Sequence, residues 1–121
     1  MRLSVPQNIL FRVAFWLACF ILTCLCLSPI DALPSHLFDW WDKAQHALVF
    51  FFLLLLGAKA YPLFLARVAI GLLFLGGAIE ILQGMTGWRS AEFLDWLADG
   101  IGIIIGFLAI QILCHFKLCQ R

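Results

Sequence analysis

Four stretches of this chain, Ile9 to Leu27, Ala44 to Ala60, Leu63 to Gln83 and Phe93 to Phe116, are almost free of charge and predominantly apolar. Each is about as long as a helix needs to be to cross a hydrocarbon core of about 30 Å. Leu48 to Leu56 carries no polar side chain at all. Apolar residues are 64% of the 121 and charged residues 12%, against about 45–50% and about 25% in a soluble domain. A soluble fold of this size buries too little of its surface to hide so many apolar side chains. The chain therefore predicts an all-α fold, an integral membrane bundle of four transmembrane helices forming a single domain over residues 1–121.

The breaks between the runs agree with that reading. Ser28 to Trp41 holds Pro29, Asp31, Pro34, His36 and Asp39, residues of loops and turns. Asp42 and Lys43 suit the start of the second helix, and Gly57 with Lys59 its end. Tyr61-Pro62 is a short turn, and Gly84 to Glu92 a polar connection. Arg12, near the start of the first span, is expected to snorkel toward lipid phosphates. The first run is at the long end for the apolar part of a signal peptide. No small-residue cleavage pattern follows it, so it reads as a retained span.

Loop charges set an expected orientation. With both termini cytoplasmic, that side holds Arg2, Arg12, Lys59, Arg67, Lys117 and Arg121, and the other side holds Lys43 and Arg89. Basic residues in short loops favour the cytoplasm, which predicts N-in, C-in. Trp40, Trp41, Trp88 and Trp96 then gather at the outer interface, where indole rings are favoured.

The net charge of +1 argues neither for nor against a nucleic-acid partner, but the chain has no basic run to track phosphates, so no nucleic acid is expected. The five cysteines, Cys19, Cys24, Cys26, Cys114 and Cys119, have no CxxC spacing. They form a poor disulfide or zinc framework and read as small apolar residues.

Polar side chains inside the apolar runs carry the functional signal, because ionisable groups in lipid are costly and usually have a partner or a task. Asp42 and His46 lie one turn apart on the second span, with Lys43 beside them. Glu80 and Gln83 share a face near the end of the third. Asp95, Asp99, Gly102 and Gly106 form one stripe on the fourth, with carboxylates above and a small-xxx-small pattern below that admits a close helix. Four carboxylates (Asp42, Glu80, Asp95, Asp99) stand against two cations (Lys43, Arg89). Buried carboxylates in excess take up a proton or recruit a cation. The expected ligand-binding set is Asp42, Lys43, His46, Glu80, Gln83, Arg89, Asp95 and Asp99, with His46, Glu80 and Asp95 as acid–base candidates. Asp31, Asp39 and Glu92 read as solvated loop charges. Without an HExxH or paired-His spacing, the sequence predicts no metal centre and names no cofactor.

These motifs resemble those of the VanZ-like membrane proteins. Asp42-Lys43-Ala44-Gln45-His46-Ala47-Leu48-Val49-Phe50 resembles that family's DKxxHxxx(Y/F) element. Glu80-Ile81-Leu82-Gln83, Arg89 and the run from Asp95 through Asp99 and Gly102 to Gly106 resemble its ExxQ, R and DxxxNxxGxxxG elements in order. The family usually has Asn where this chain has Asp99. The resemblance spans Asp42 to Gly106 and implies a small multi-pass protein of the bacterial envelope, at the inner (plasma) membrane. The family's founding member is associated with low-level resistance to the glycopeptide teicoplanin.

Three readings follow. In the first, an outward-facing pocket binds an envelope lipid, a lipid-linked cell-wall precursor or a lipophilic glycopeptide. Lys43 and Arg89 hold an anionic group, and the acids and His46 orient it or exchange protons. In the second, the chain is a membrane enzyme with His46 as base and Glu80 or Asp95 as acid. In the third, the polar stripe and the Gly102/Gly106 face serve helix assembly, a homo-oligomer or a partner membrane protein. Proton-coupled transport has little support, because Arg12, Lys59 and Arg67 lie at the cytoplasmic rim and offer no inward path through the lower halves of the spans.

Overall fold

A computed structural model describes residues 5–29, 41–88 and 90–119, with side chains from Asn8 to Pro29, Lys43 to Trp88 and Ser90 to Lys117. Four helices follow in order: α1 (Val5–Leu27), α2 (Trp41–Ala60), α3 (Leu65–Met85) and α4 (Phe93–Cys119). They are 23, 20, 21 and 27 residues long, or about 30 to 40 Å at 1.5 Å per residue. All four are long and apolar enough to cross a membrane.

Large apolar side chains point outward from every helix. Phe20 of α1, Phe52 of α2, Phe74 of α3 and Ile112 of α4 are all more than half exposed. A helix in a water-soluble bundle turns such residues to one inner face and keeps the outer face polar. Here both faces are apolar, the pattern of a helix packed on protein on one side and on lipid on the other. The fold is that of a multi-pass membrane protein.

The core is small. Phe15 and Cys19 of α1, Phe50, Leu53 and Leu54 of α2, Leu72 of α3 and Ile103 of α4 form one buried cluster. The second helix lies at the centre, packing on all three others and most extensively on α4. Glycines set that approach. A Cβ on Gly102 would overlap the carbonyl oxygen of Ala47, and one on Gly106 would lie 3.1 Å from Leu54 and 3.3 Å from Phe51. The small-xxx-small face of α4 is thus occupied by α2 of the same chain, which leaves it unavailable to a partner helix.

At the end of the bundle formed by the start of α1 and the α2–α3 turn, Tyr61 N–H donates to Gly57 O (2.8 Å) and Phe64 N–H to Tyr61 O (3.0 Å). The turn through Pro62 delays α3 to Leu65, two residues beyond its expected start. Arg12 does not reach out toward lipid. Its Nε donates to Ala60 O at 3.2 Å and its guanidinium lies over the Tyr61 ring at 4.9 Å. The last carbonyls of a helix lack intrahelical donors, so a cation there satisfies both a hydrogen bond and the helix dipole. Trp16 Nε1–H donates to Tyr61 Oη at 2.8 Å and closes the cluster.

Candidate functional site

The opposite end of the bundle, where α1 and α3 finish and α2 and α4 begin, holds the polar residues. They lie there because each is set on a helix face that also carries core contacts. Leu72, Gly76, Ile79, Glu80 and Gln83 are the buried residues of α3 and recur at helical spacing. On α4 the buried positions Asp95, Ala98, Asp99, Gly102, Ile103 and Gly106 trace the expected stripe. Glu80 is 7%, Asp95 5% and Asp99 1% exposed, so all three carboxyl groups are enclosed.

Asp99 is the most buried of them. Its Oδ1 lies 2.8 Å from Nδ1 of His46, whose ring is 9% exposed. Gly76 of α3 leaves the room for this carboxyl group: a Cβ at Gly76 would stand 2.6 Å from Asp99 Oδ2. Three helices therefore fix one pair, with α2 supplying the ring, α4 the acid and α3 the space. A carboxylate on one ring nitrogen sets the tautomer and orientation of the other.

Glu80 is held from the connection to α4. The backbone N–H of Glu92 donates to Glu80 Oε2 at 2.9 Å. The other oxygen, Oε1, is buried without a hydrogen-bond partner among the described residues, and so is Asp95 Oδ1. Lys43 Nζ lies 3.4 Å from that Asp95 oxygen, at ion-pair distance but out of hydrogen-bond alignment, and 2.9 Å from Glu92 Oε2. A ring nitrogen of His46 and carboxylate oxygens of Glu80 and Asp95 all lie within 4.8 Å of one another.

Some expected ligand residues are otherwise engaged. Gln83 is 2% exposed and its Nε2 donates to Cys26 O at 2.8 Å, tying α3 to the end of α1. Trp88 Nε1–H donates to Leu27 O at 3.0 Å in the same way. Lys43 is bound to Glu92 and Asp95. The Asp42 side chain and Arg89 lie outside the described residues, as do Asp31, His36, Asp39 and Trp40.

Glu92 is the residue that sequence reasoning passed over. Its carboxylate is half-exposed, as a loop charge should be, but it pairs with Lys43 while its N–H holds Glu80. Its place just before an apolar run, where a helix begins, was the only available signal. Trp96 likewise does more than sit at an interface, since its Nε1–H donates to Leu73 O of α3 at 3.0 Å. Gly77 lets that ring lie close, with a Cβ there meeting Nε1 at 3.4 Å.

Beside Trp96, the surface between α3 and α4 is grooved. A pocket of about 480 Å³ reaches Glu80 and Glu92 and is walled by Gly77, Ile81, Phe93 and Trp96. A second, of about 460 Å³, shares Gly77, Ile81 and Trp96 and continues along α3 past Leu73 and Phe74. Together they lead from a wholly apolar wall to two carboxylates.

No family model matches the chain, and neither a curated protein nor a solved structure matches it. Fold and site define a multi-pass membrane protein of four helices with an enclosed histidine–carboxylate cluster at one end.

Proposed function

We propose that this chain is a VanZ-like protein of the bacterial inner membrane, N-in and C-in, that binds the headgroup of an amphiphilic envelope molecule at the outer leaflet. A lipid, a lipid-linked cell-wall precursor and a lipophilic glycopeptide share the required chemistry, an apolar tail joined to a polar head. The observation that carries this reading is the continuous groove between α3 and α4. Its apolar stretch, along Leu73, Phe74, Ile81 and Trp96, suits an acyl chain, and it ends on Glu80 and Glu92. Ligand sites of this kind join an apolar wall to a few converging polar groups.

The charge of the site refines the headgroup. Lys43, which the sequence assigned to an anionic group, is already held by Glu92 and Asp95. Among the described residues this end holds four carboxylates, of which Glu92 and Asp95 pair with Lys43 and Asp99 with His46, so amine and hydroxyl donors on the headgroup match the site better than a bare phosphate. Protein purified in mild detergent should retain a lipid-like species that native mass spectrometry identifies. Ile81→Trp fills the groove from an exposed position and should cut that occupancy about tenfold, equivalent to about 1.4 kcal/mol. Occupancy unchanged in both Ile81→Trp and Glu80→Gln would sink the reading.

A second reading, a lipid-directed enzyme, is favoured by the Asp99–His46 pair at 2.8 Å, which presents an oriented imidazole beside Glu80. It requires turnover of a labelled lipid or wall precursor by the purified protein, lost in His46→Ala.

A further inference from the structure

We propose that His46, Glu80 and Asp95 form a binding site for a single divalent transition-metal ion, Zn²⁺ or Mn²⁺, with Asp99 orienting the imidazole. This stands on the side chains of the cluster alone and does not depend on a lipid in the groove.

Three observations carry it. The first is convergence: one residue from each of α2, α3 and α4 brings a ligand-type atom to within 4.8 Å of the other two. Ligands on a tetrahedral zinc, at about 2.0–2.1 Å from the ion, stand about 3.3 Å apart, so the three atoms need to draw together by no more than about 1.5 Å. The second is an unmet valence. Glu80 and Asp95 are 7% and 5% exposed, and Glu80 Oε1 and Asp95 Oδ1 are buried with no hydrogen-bond partner among the described residues. Enclosed carboxylate oxygens without donors are costly unless a cation meets them. Lys43 offsets part of that charge from 3.4 Å on Asp95, with a side chain that is 39% exposed. Among the described residues no lysine or arginine forms an ion pair with Glu80. The third is the Asp99 contact. A ring nitrogen bonded to a carboxylate is the usual setting of a metal-bound histidine, because the acid fixes the tautomer and makes the imidazole a better donor.

The donor set selects the ion. One imidazole and two carboxylates suit zinc and manganese. The absence of thiolates from the cluster disfavours copper(I), and an imidazole disfavours calcium and magnesium. Three protein ligands would leave one coordination position of a tetrahedral ion for water or a ligand, and Glu80 also lines the α3–α4 groove.

Spacing rules miss such a site because no two of its ligands are close in sequence on one helix.

The test uses the full chain in detergent, stripped with a chelator and titrated with Zn²⁺ against a competing dye and with Mn²⁺ by electron paramagnetic resonance. One ion per chain is expected, with nitrogen modulation from one imidazole in the Mn²⁺ spectrum. Glu80→Gln and Asp95→Asn, which keep side-chain shape, should each weaken binding at least about a hundredfold. Asp99→Asn should weaken it about 10- to 100-fold by acting through His46. Ile81→Trp should leave it unchanged while cutting lipid occupancy about tenfold, which separates this proposal from the groove. Helical circular dichroism and a monodisperse elution profile exclude misfolding as the cause of any loss. If the stripped wild type takes up neither ion, or if Glu80→Gln binds as tightly as wild type, or if the Mn²⁺ spectrum shows no nitrogen, the proposal is overturned.

Discussion

Adding one methyl group at Gly102 should separate α2 from α4 and disturb the site with them. A Cβ there falls on the Ala47 carbonyl oxygen and stands 2.8 Å from its carbonyl carbon and 2.9 Å from its Cα. All three atoms are backbone within a helix, so no rotamer change relieves the overlap and the helices must part. Overpacking typically costs about 1–3 kcal/mol. A backbone obstacle places Gly102→Ala at the upper end, about 3 kcal/mol, less the gain of about 0.5–1 kcal/mol that Ala brings over Gly in a helix. Gly71→Ala is the matched control, since nothing lies within 4 Å of a Cβ there. It should be neutral or slightly stabilising. Reversible unfolding in mixed micelles measures both. His46 precedes Ala47 by one position and Asp99 precedes Gly102 by three, so Gly102→Ala should also lengthen the His46–Asp99 contact from 2.8 Å. The change would be visible as an altered imidazole nitrogen resonance. A Gly102→Ala protein as stable as Gly71→Ala would refute the close packing of α2 on α4.

Gly76→Ala places a Cβ 2.6 Å from Asp99 Oδ2, a movable side-chain end; it should cost about 1–2 kcal/mol and shift the His46 resonance with little change in helix content. At the other end, a double-mutant cycle of Trp16→Phe and Tyr61→Phe should give a coupling of about 0.5–1.5 kcal/mol, the value of one hydrogen bond; zero coupling removes the contact. Orientation is open to cysteine labelling in a cysteine-free background: Ser90→Cys should react with an impermeant reagent from outside and Lys59→Cys should not, and labelling of both from one side overturns N-in, C-in.

The helices were readable because lipid leaves a one-dimensional trace: a run of apolar residues must be as long as the hydrocarbon is thick. The α2–α4 seam was half readable. Gly102 and Gly106 announced a close neighbour without saying which helix it would be, and Asp95 and Asp99 shared their face by simple periodicity. Pairings across helices leave no such trace. Nothing in the sequence ties Gly76 to Asp99, the Glu92 N–H to Glu80, or the Gln83 amide to the Cys26 carbonyl. Arg12 shows the same limit, because a cation near a span end can serve lipid phosphate or a neighbouring helix terminus. Geometry chose the Ala60 carbonyl.

The two ends of the bundle differ in what a mutation there can mean. Around Arg12, Trp16 and Tyr61 the polar contacts join α1 to the end of α2, far along the helices from the carboxylates, and a loss there reads as stability alone. At the other end stability and site share atoms. The residues that hold α2 against α4 adjoin the residues that hold His46 on Asp99, and Gly76 serves α3 packing and the Asp99 carboxyl group at once. Deleting Asp99 would leave a buried imidazole beside a cavity, and deleting Glu80 would leave the Glu92 N–H without its acceptor, each at a cost of about 1–3 kcal/mol before any ligand is considered. Alanine scanning of this cluster therefore confounds folding with binding. Shape-preserving changes such as Glu80→Gln, Asp95→Asn and Asp99→Asn remove charge while keeping volume and at least one hydrogen bond. They are the substitutions through which the role of the cluster can be read separately from its contribution to the fold.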